Sequence, residues 1–186
     1  MEVYIAILRG INVSGHNLIK MDALRSLCKE LGFRNAKTYI QSGNIVFQYK
    51  KISCDSLEKK IEQAIFTSFS FKVPVLVKEA VELTSVLQHN PFVNVRMEDE
   101  TKLHVTFLSK EPDKGLVDKI KEGSYAADEC IFSGRNVYLF CPNGYGNTKL
   151  HNGFFESKLK VTATTRNWKT LNELAMMAES ISKETN

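Results

Sequence analysis

The strongest constraint on this chain is an order of predicted elements that runs twice. Residues 3–8 form a continuous apolar run suited to a central strand. After a polar, glycine-containing loop, Met21, Leu24, Leu27, Cys28 and Leu31 recur at helical spacing and stop at Gly32, a favourable helix end. Residues 37–40 and 45–49 predict two strands around the tight turn Gln41-Ser42-Gly43-Asn44. Asp55 and Glu58 read as a capping box opening a helix with Leu57, Ile61 and Ile65 on one face, and residues 73–78 supply a fourth strand. From Lys102 the pattern starts again. Residues 103–109 predict a strand, Asp113 caps a short helix, and residues 129–132 and 137–141 flank a second Ser-Gly turn. Asn147 or Thr148 is expected to cap a helix, and residues 161–164 are extended. The expected fold class is therefore α+β, a tandem duplication of a ferredoxin-like (split βαβ) unit. The expected boundaries are 1–78 for the first unit, 79–101 for a connecting helix and loop, and 102–186 for the second unit. A terminal helix with Trp168, Leu171 and Leu174 on one stripe is expected to pack on that second unit.

Strand direction then places the polar segments. A right-handed crossover makes strands one and two of a unit parallel, with strand three antiparallel between them. The loop after strand one and the hairpin from two to three share one end of the sheet. In the first unit this gathers Arg9, Asn12, His16 and Lys20 near Gln41, Ser42 and Asn44. In the second unit the exit of strand four meets the exit of strand three at the opposite end. That gathers Tyr145, Asn147, Thr148 and Lys149 near Thr164, Thr165, Arg166 and Asn167, with expected helix starts at Thr148 and near Asn167. A helix N-terminus attracts anions, but it supplies only about 0.3–1 kcal/mol, so a site there needs Arg166 or Lys149 as well. Many of these residues also suit purely structural roles, since Ser-Gly-Asn favours a hairpin and Thr and Asn favour caps.

Composition excludes more than it selects. No apolar run approaches the roughly 20 residues that span a bilayer, so no membrane partner is expected and the chain reads as cytoplasmic. Four cysteines and four histidines are scattered without metal-ligand or dithiol spacing, so neither a metal nor a cofactor is expected. The net charge is +4. Residues 1–50 carry seven Lys and Arg against three Asp and Glu, so a basic surface is local to that third. Cys54 near a helix start could carry a lowered pKa, although an inert thiol is the plainer reading.

The segments from Leu8 to Met21, 39–44, 143–150 and 163–168 resemble the signature segments of an uncharacterised bacterial family, domain of unknown function 1697. The resemblance spans essentially the whole chain and implies a duplicated ferredoxin-like fold, but no established activity. Ser14 stands where members of that family usually have Gly.

Three functional readings stay open. The preferred one is a non-catalytic module that binds a phosphate-bearing or anionic ligand, either a nucleotide-like molecule or nucleic acid. The second is an interaction scaffold or homodimer, and the third an enzyme acting on a small anion, with Tyr145, Lys149 and His151 near the second cluster, or His16 with Arg9 near the first, as candidates. RNA-recognition motifs share the βαββαβ plan and stack bases on aromatics of their third strand. Aligning on Gly43 puts Asn44 and Val46 at those positions, which leaves Tyr4 on the first strand as the single aromatic match.

Overall fold

Strand β1 (Glu2–Leu8) is buried along all but its first residue, and a strand buried on both faces needs neighbours on both sides. It has them. In the first unit helix α1 (Met21–Glu30), strands β2 (Arg34–Tyr39) and β3 (Asn44–Tyr49), helix α2 (Cys54–Phe69), strand β4 (Val75–Glu79) and helix α3 (Ala80–Gln88) follow in turn. The sheet order is β2-β3-β1-β4, with every pair antiparallel. The computed structural model describes residues 1–13 and 15–183, so Ser14 lies outside the described residues.

The second unit repeats the plan. A short helix α4 (Pro91–Asn94) precedes strand β5 (Leu103–Leu108), helix α5 (Lys114–Lys121), strands β6 (Glu129–Ser133) and β7 (Asn136–Phe140), helix α6 (Asn152–Leu159) and strand β8 (Ala163–Asn167). The order is β6-β7-β5-β8, again antiparallel throughout. Helix α7 (Trp168–Lys183) ends the described chain. The architecture is mixed α+β, with two similar units each built on a four-stranded sheet.

Alternation along β1 divides its side chains. Tyr4, Ala6 and Leu8 join Leu24, Leu57 and Ile61 in one core cluster, while Ile5, Ile7 and Val46 on the other face are also fully buried. In the second unit Leu108, Val137 and Leu139 meet Phe155, Leu159 and Ile120. Burial of each such side chain stabilises by about 1.5–3 kcal/mol.

Several expectations are corrected by local geometry. Helix α2 is capped by Ser53, whose side chain accepts from the Ser56 N–H, and not by Asp55. Glu58 reaches instead to the Val77 N–H at 2.9 Å. Neither Asn147 nor Thr148 caps α6. A 3-10 turn occupies Tyr145–Asn147, and His151 is the cap through Nδ1, which accepts from the Phe154 N–H at 3.2 Å. The chain divides into Met1–Thr84 with the segment from Glu173 onward, and Ser85–Asn172. The division thus falls within α3, and the later part of α7 goes with the first unit, where the Gln48 amide donates to the Ile181 carbonyl at 3.3 Å. Tyr4 is no base-stacking platform. Its hydroxyl donates to the Ile52 carbonyl at 3.0 Å and accepts from the Ile52 N–H at 3.1 Å, inside the core.

The β2–β3 turn demands glycine at one position. Gly43 has φ +82°, and a Cβ there would stand 2.7 Å from Ile11 and 2.8 Å from Leu8. Its carbonyl accepts from the Leu8 N–H at 2.8 Å, so the turn cannot retreat without losing that bond. Gly43→Ala should cost about 2–4 kcal/mol, from left-handed strain together with overpacking. Urea denaturation at constant m-value measures it; an unmoved midpoint would show that the close approach is not required.

Candidate functional site

In the first cluster the loop after β1 and the β2–β3 turn do meet. Asn12, held at φ +53°, is the clasp. Its Nδ2 donates to the Ile19 carbonyl at 3.0 Å and to the Gln41 carbonyl at 2.9 Å, and its Oδ1 accepts from the Ile19 N–H at 2.8 Å. Asn44 is fully buried and donates to the Tyr39 carbonyl at 3.0 Å and to Ser42 Oγ at 3.2 Å. Arg9 follows directly, its N–H bound to the Pro74 carbonyl at 2.9 Å. The Asn12–Gln41 bond holds the loop and turn together and the Asn44 bonds close the turn itself, so Asn12 and Asn44 act as architecture. His16 and Lys20 are exposed, and among the described residues no hydrogen bond ties their side chains to the turn.

In the second cluster, antiparallel pairing puts the start of β5 beside the ends of β7 and β8: His104 faces Asn167, and Leu103 faces Phe140. The 3-10 turn after β7 carries Tyr145 onto this end, where its ring stacks on His104 with centroids 4.7 Å apart and planes at 24°. Arg166 is partly buried on β8. Its guanidinium donates to Thr164 Oγ1 at 3.2 Å and to the Thr165 carbonyl at 2.9 Å. Burial pushes the Arg166 pKa down to about 10, a shift opposed by the nearby Tyr145 phenol, so the group stays charged at neutral pH.

Other polar groups here serve the fold. Thr165 bonds Thr106 at 2.7 Å and donates to Asn152 Oδ1 at 2.6 Å, tying β8 to β5 and to the first turn of α6. Asn167 Oδ1 caps α7 by accepting from the Thr170 N–H at 2.8 Å. Asn147 Nδ2 donates to the Asn143 carbonyl, and Thr148 Oγ1 accepts from the Leu150 N–H, both at 3.0 Å. Lys149 is exposed. The structure therefore brings Tyr145, Arg166 and Asn167 to one end of the sheet and adds His104, which the sequence reading missed. The signal was available: the strand directions that join Tyr145 to Arg166 also bring the first residues of β5 there.

All four cysteine thiols are pushed above the ordinary thiol range. Burial pushes the Cys28 thiol up to about 12, and burial with Glu82, Glu79 and Glu58 nearby pushes Cys54 up to about 11, in line with the plainer reading of an inert thiol and against the alternative of a lowered value. Cys130 and Cys141 are likewise raised to about 11, first by burial. Among the described residues no group of three His, Cys, Asp or Glu could hold a metal ion. No helix there is long and apolar enough to cross a membrane.

His104 gives this end a pH signature. Burial lowers its pKa from the ordinary 6.5, against a weak opposing bond from Nδ1 to the Lys102 carbonyl at 3.3 Å. The unfolded chain therefore takes up the proton first. The stability associated with the neutral ring is complete above about pH 7 and is lost as pH falls below the ordinary histidine value. His104→Gln should flatten the decline in urea midpoint between about pH 7 and pH 5. An identical slope in the variant would show that the ring is not held neutral.

Comparison with known proteins adds the family. A structure titled "The structure of conserved bacterial protein SP0830 from Streptococcus pneumoniae" matches with a TM-score of 0.76 at 23% identity, covering 95% of this chain and 98% of that one. That likeness establishes a shared fold. A comparison with curated proteins finds no match. The family model described as "Protein of unknown function (DUF1697)" matches residues 1–138, and the chain belongs to that family.

Proposed function

We propose that the protein is a non-catalytic binding module for a small anionic, phosphate-bearing ligand, seated at the end of the second sheet that carries Arg166, Tyr145 and His104. The carrying observation is the Arg166 guanidinium fixed on β8 by hydrogen bonds to Thr164 Oγ1 and the Thr165 carbonyl, with the Tyr145 phenol near enough to oppose the lowering of its pKa. A cation already oriented by its neighbours loses little freedom on meeting an oxyanion, and its fork suits phosphate or carboxylate oxygens. Tyr145 and His104 add flat surface for a ring carried by such a ligand.

The finer fold reading belongs with this proposal. The order β2-β3-β1-β4 and its counterpart β6-β7-β5-β8 support a duplicated ferredoxin-like unit. Four free thiols fit a reducing, cytoplasmic setting. Base stacking on the first sheet finds no support, because Asn44 and Val46 are fully buried at the positions where an RNA-recognition motif exposes aromatics. An enzyme reading gains little from His151, whose Nδ1 is committed to capping α6.

Thermal melting with inorganic phosphate, nucleoside phosphates and small carboxylates tests the site. At a ligand concentration about 100 times Kd, binding adds about 2.7 kcal/mol, which is about 5–10 °C for a chain of this length. Arg166→Gln should abolish that shift, whereas Arg9→Ala, at the first cluster, should leave it intact. A shift that survives Arg166→Gln removes this site, and the absence of any shift across the anion series removes the binding reading.

A further inference from the structure

Edge strands offer unpaired main-chain groups, and folded proteins usually block them. Three of the four sheet edges here are blocked. On β4 the outward N–H groups of Val75 and Val77 donate to Glu62 and Glu58 of α2, each at 2.9 Å. On β8 the Ala163 N–H donates to Glu156 of α6 at 3.0 Å, the same device in the second unit. On β2 the register shifts between Arg34 and Lys37, Asn35 takes φ +50°, and both of those cations stand on the edge. Strand β6 differs. Its register with β7 is unbroken from Glu129 to Ser133, and among the described residues no carboxylate meets its outer N–H groups. An open groove lined by Val117, Lys121, Phe132 and Gly134 runs along its helix side, so α5 leaves the edge uncovered.

We propose that β6 is the pairing edge for a second copy of this chain, joined antiparallel around a two-fold axis at Ile131. The register of the hairpin selects this arrangement. A two-residue turn at Gly134 and Arg135 makes Ser133–Asn136 the inward hydrogen-bonded pair, and alternation makes Ile131–Tyr138 and Glu129–Phe140 inward as well. The outward main-chain groups therefore belong to Cys130 and Phe132. Only an axis through Ile131 sets Cys130 of one copy against Phe132 of the other on both sides, so that all of these groups pair at once. The two Ile131 side chains then occupy the close, non-hydrogen-bonded position, with Cα atoms about 4.5 Å apart.

Charge agrees with this register. It sets Glu129 opposite Ser133 of the second copy, with Asp128 next to Arg135 of that copy, so opposite signs meet and no like charges face each other. Apolar surface continues from the same edge. Arg96 binds Glu129 through both guanidinium nitrogens, at 2.6 and 2.9 Å, and lies 5.2 Å from the Phe92 ring centroid. It thereby fixes Val95 and Met97, 79% and 84% exposed, beside the start of β6. Met97 is held at φ +52°, a conformation methionine rarely takes. Ile131 itself is 37% exposed. An isologous contact of this kind closes at two copies, because pairing consumes the edge on both.

Sedimentation equilibrium on the full chain across a concentration series should show a monomer–dimer equilibrium. Ile131→Lys, which sets like charges on the axis, should abolish the dimer over the same range with the circular dichroism spectrum unchanged. Ile131→Cys, treated with oxidised glutathione, should form a disulfide between the two axis residues and release reduced glutathione. Met176→Cys, exposed on α7 and away from the edge, should not. A dimer that survives Ile131→Lys, or Ile131→Cys cross-linking no faster than Met176→Cys, overturns the proposal.

Discussion

In each unit the first strand is hydrogen-bonded on both sides by strands running the other way, and this decides which loops can meet. A central strand with two antiparallel neighbours has its own start beside both of their ends, and its own end beside both of their starts. Around the end of β1 the chain brings the loop bearing Asn12 against the turn bearing Gly43. Around the start of β5 it brings Tyr145 against His104 and Arg166. Neither grouping needs a special motif. Both follow from the hydrogen-bonding direction of strands that burial forces into the middle of a sheet.

The two ends nevertheless use their polar residues differently. At the end of β1 the Asn12 amide binds the Gln41 carbonyl across the gap, while Asn12 also closes its own loop on Ile19 and Asn44 closes the hairpin on Tyr39, so polarity there substitutes for a ladder the chain cannot continue. At the start of β5 the threonines and Asn167 do comparable work, while the charged and aromatic groups stand together. A guanidinium near a phenol, and that phenol stacked on an imidazole, is not what hydrogen-bond closure of a loop requires. This is why the second end is the better candidate for recognition, although the first holds more of the chain's surplus positive charge.

Element types and strand order were legible in the sequence because both periodicities are strong there: the apolar run of β1, the stripe from Met21 to Leu31, and two Ser-Gly turns at matching places. Helix starts were less so. Ser53 and Asp55 both suit a cap, and the choice depended on Glu58 being drawn to the β4 edge, a tertiary contact. His151 replaced Asn147 and Thr148 because a 3-10 turn consumed the preceding residues. His104 was missed for a simpler reason: on an alternating strand it reads as one polar position among several, and only the stacking partner from the loop after β7 distinguishes it. The later part of α7 was assigned to the wrong unit because its apolar stripe states that a face is buried, not against which surface.

The treatment of sheet edges ties these observations together. Glu62 on β4 and Glu156 on β8 perform one task at equivalent places, a carboxylate from the last helix of the βαββαβ run accepting from the first residue of the fourth strand. A half-buried carboxylate loses hydration unless it is hydrogen-bonded, and an edge N–H is a hazard unless satisfied, so each solves the problem posed by the other. Among the described residues no carboxylate of a helix accepts from the second strands in this way, and there the units diverge. The first unit interrupts its edge with a shifted register and two cations, whereas the second keeps β6 regular and sets Ile131 outward. Where two similar units solve the same problem in one place and differ in another, the difference marks the surface on which they are not equivalent: the first unit closes its sheet to other strands, and the second leaves one open.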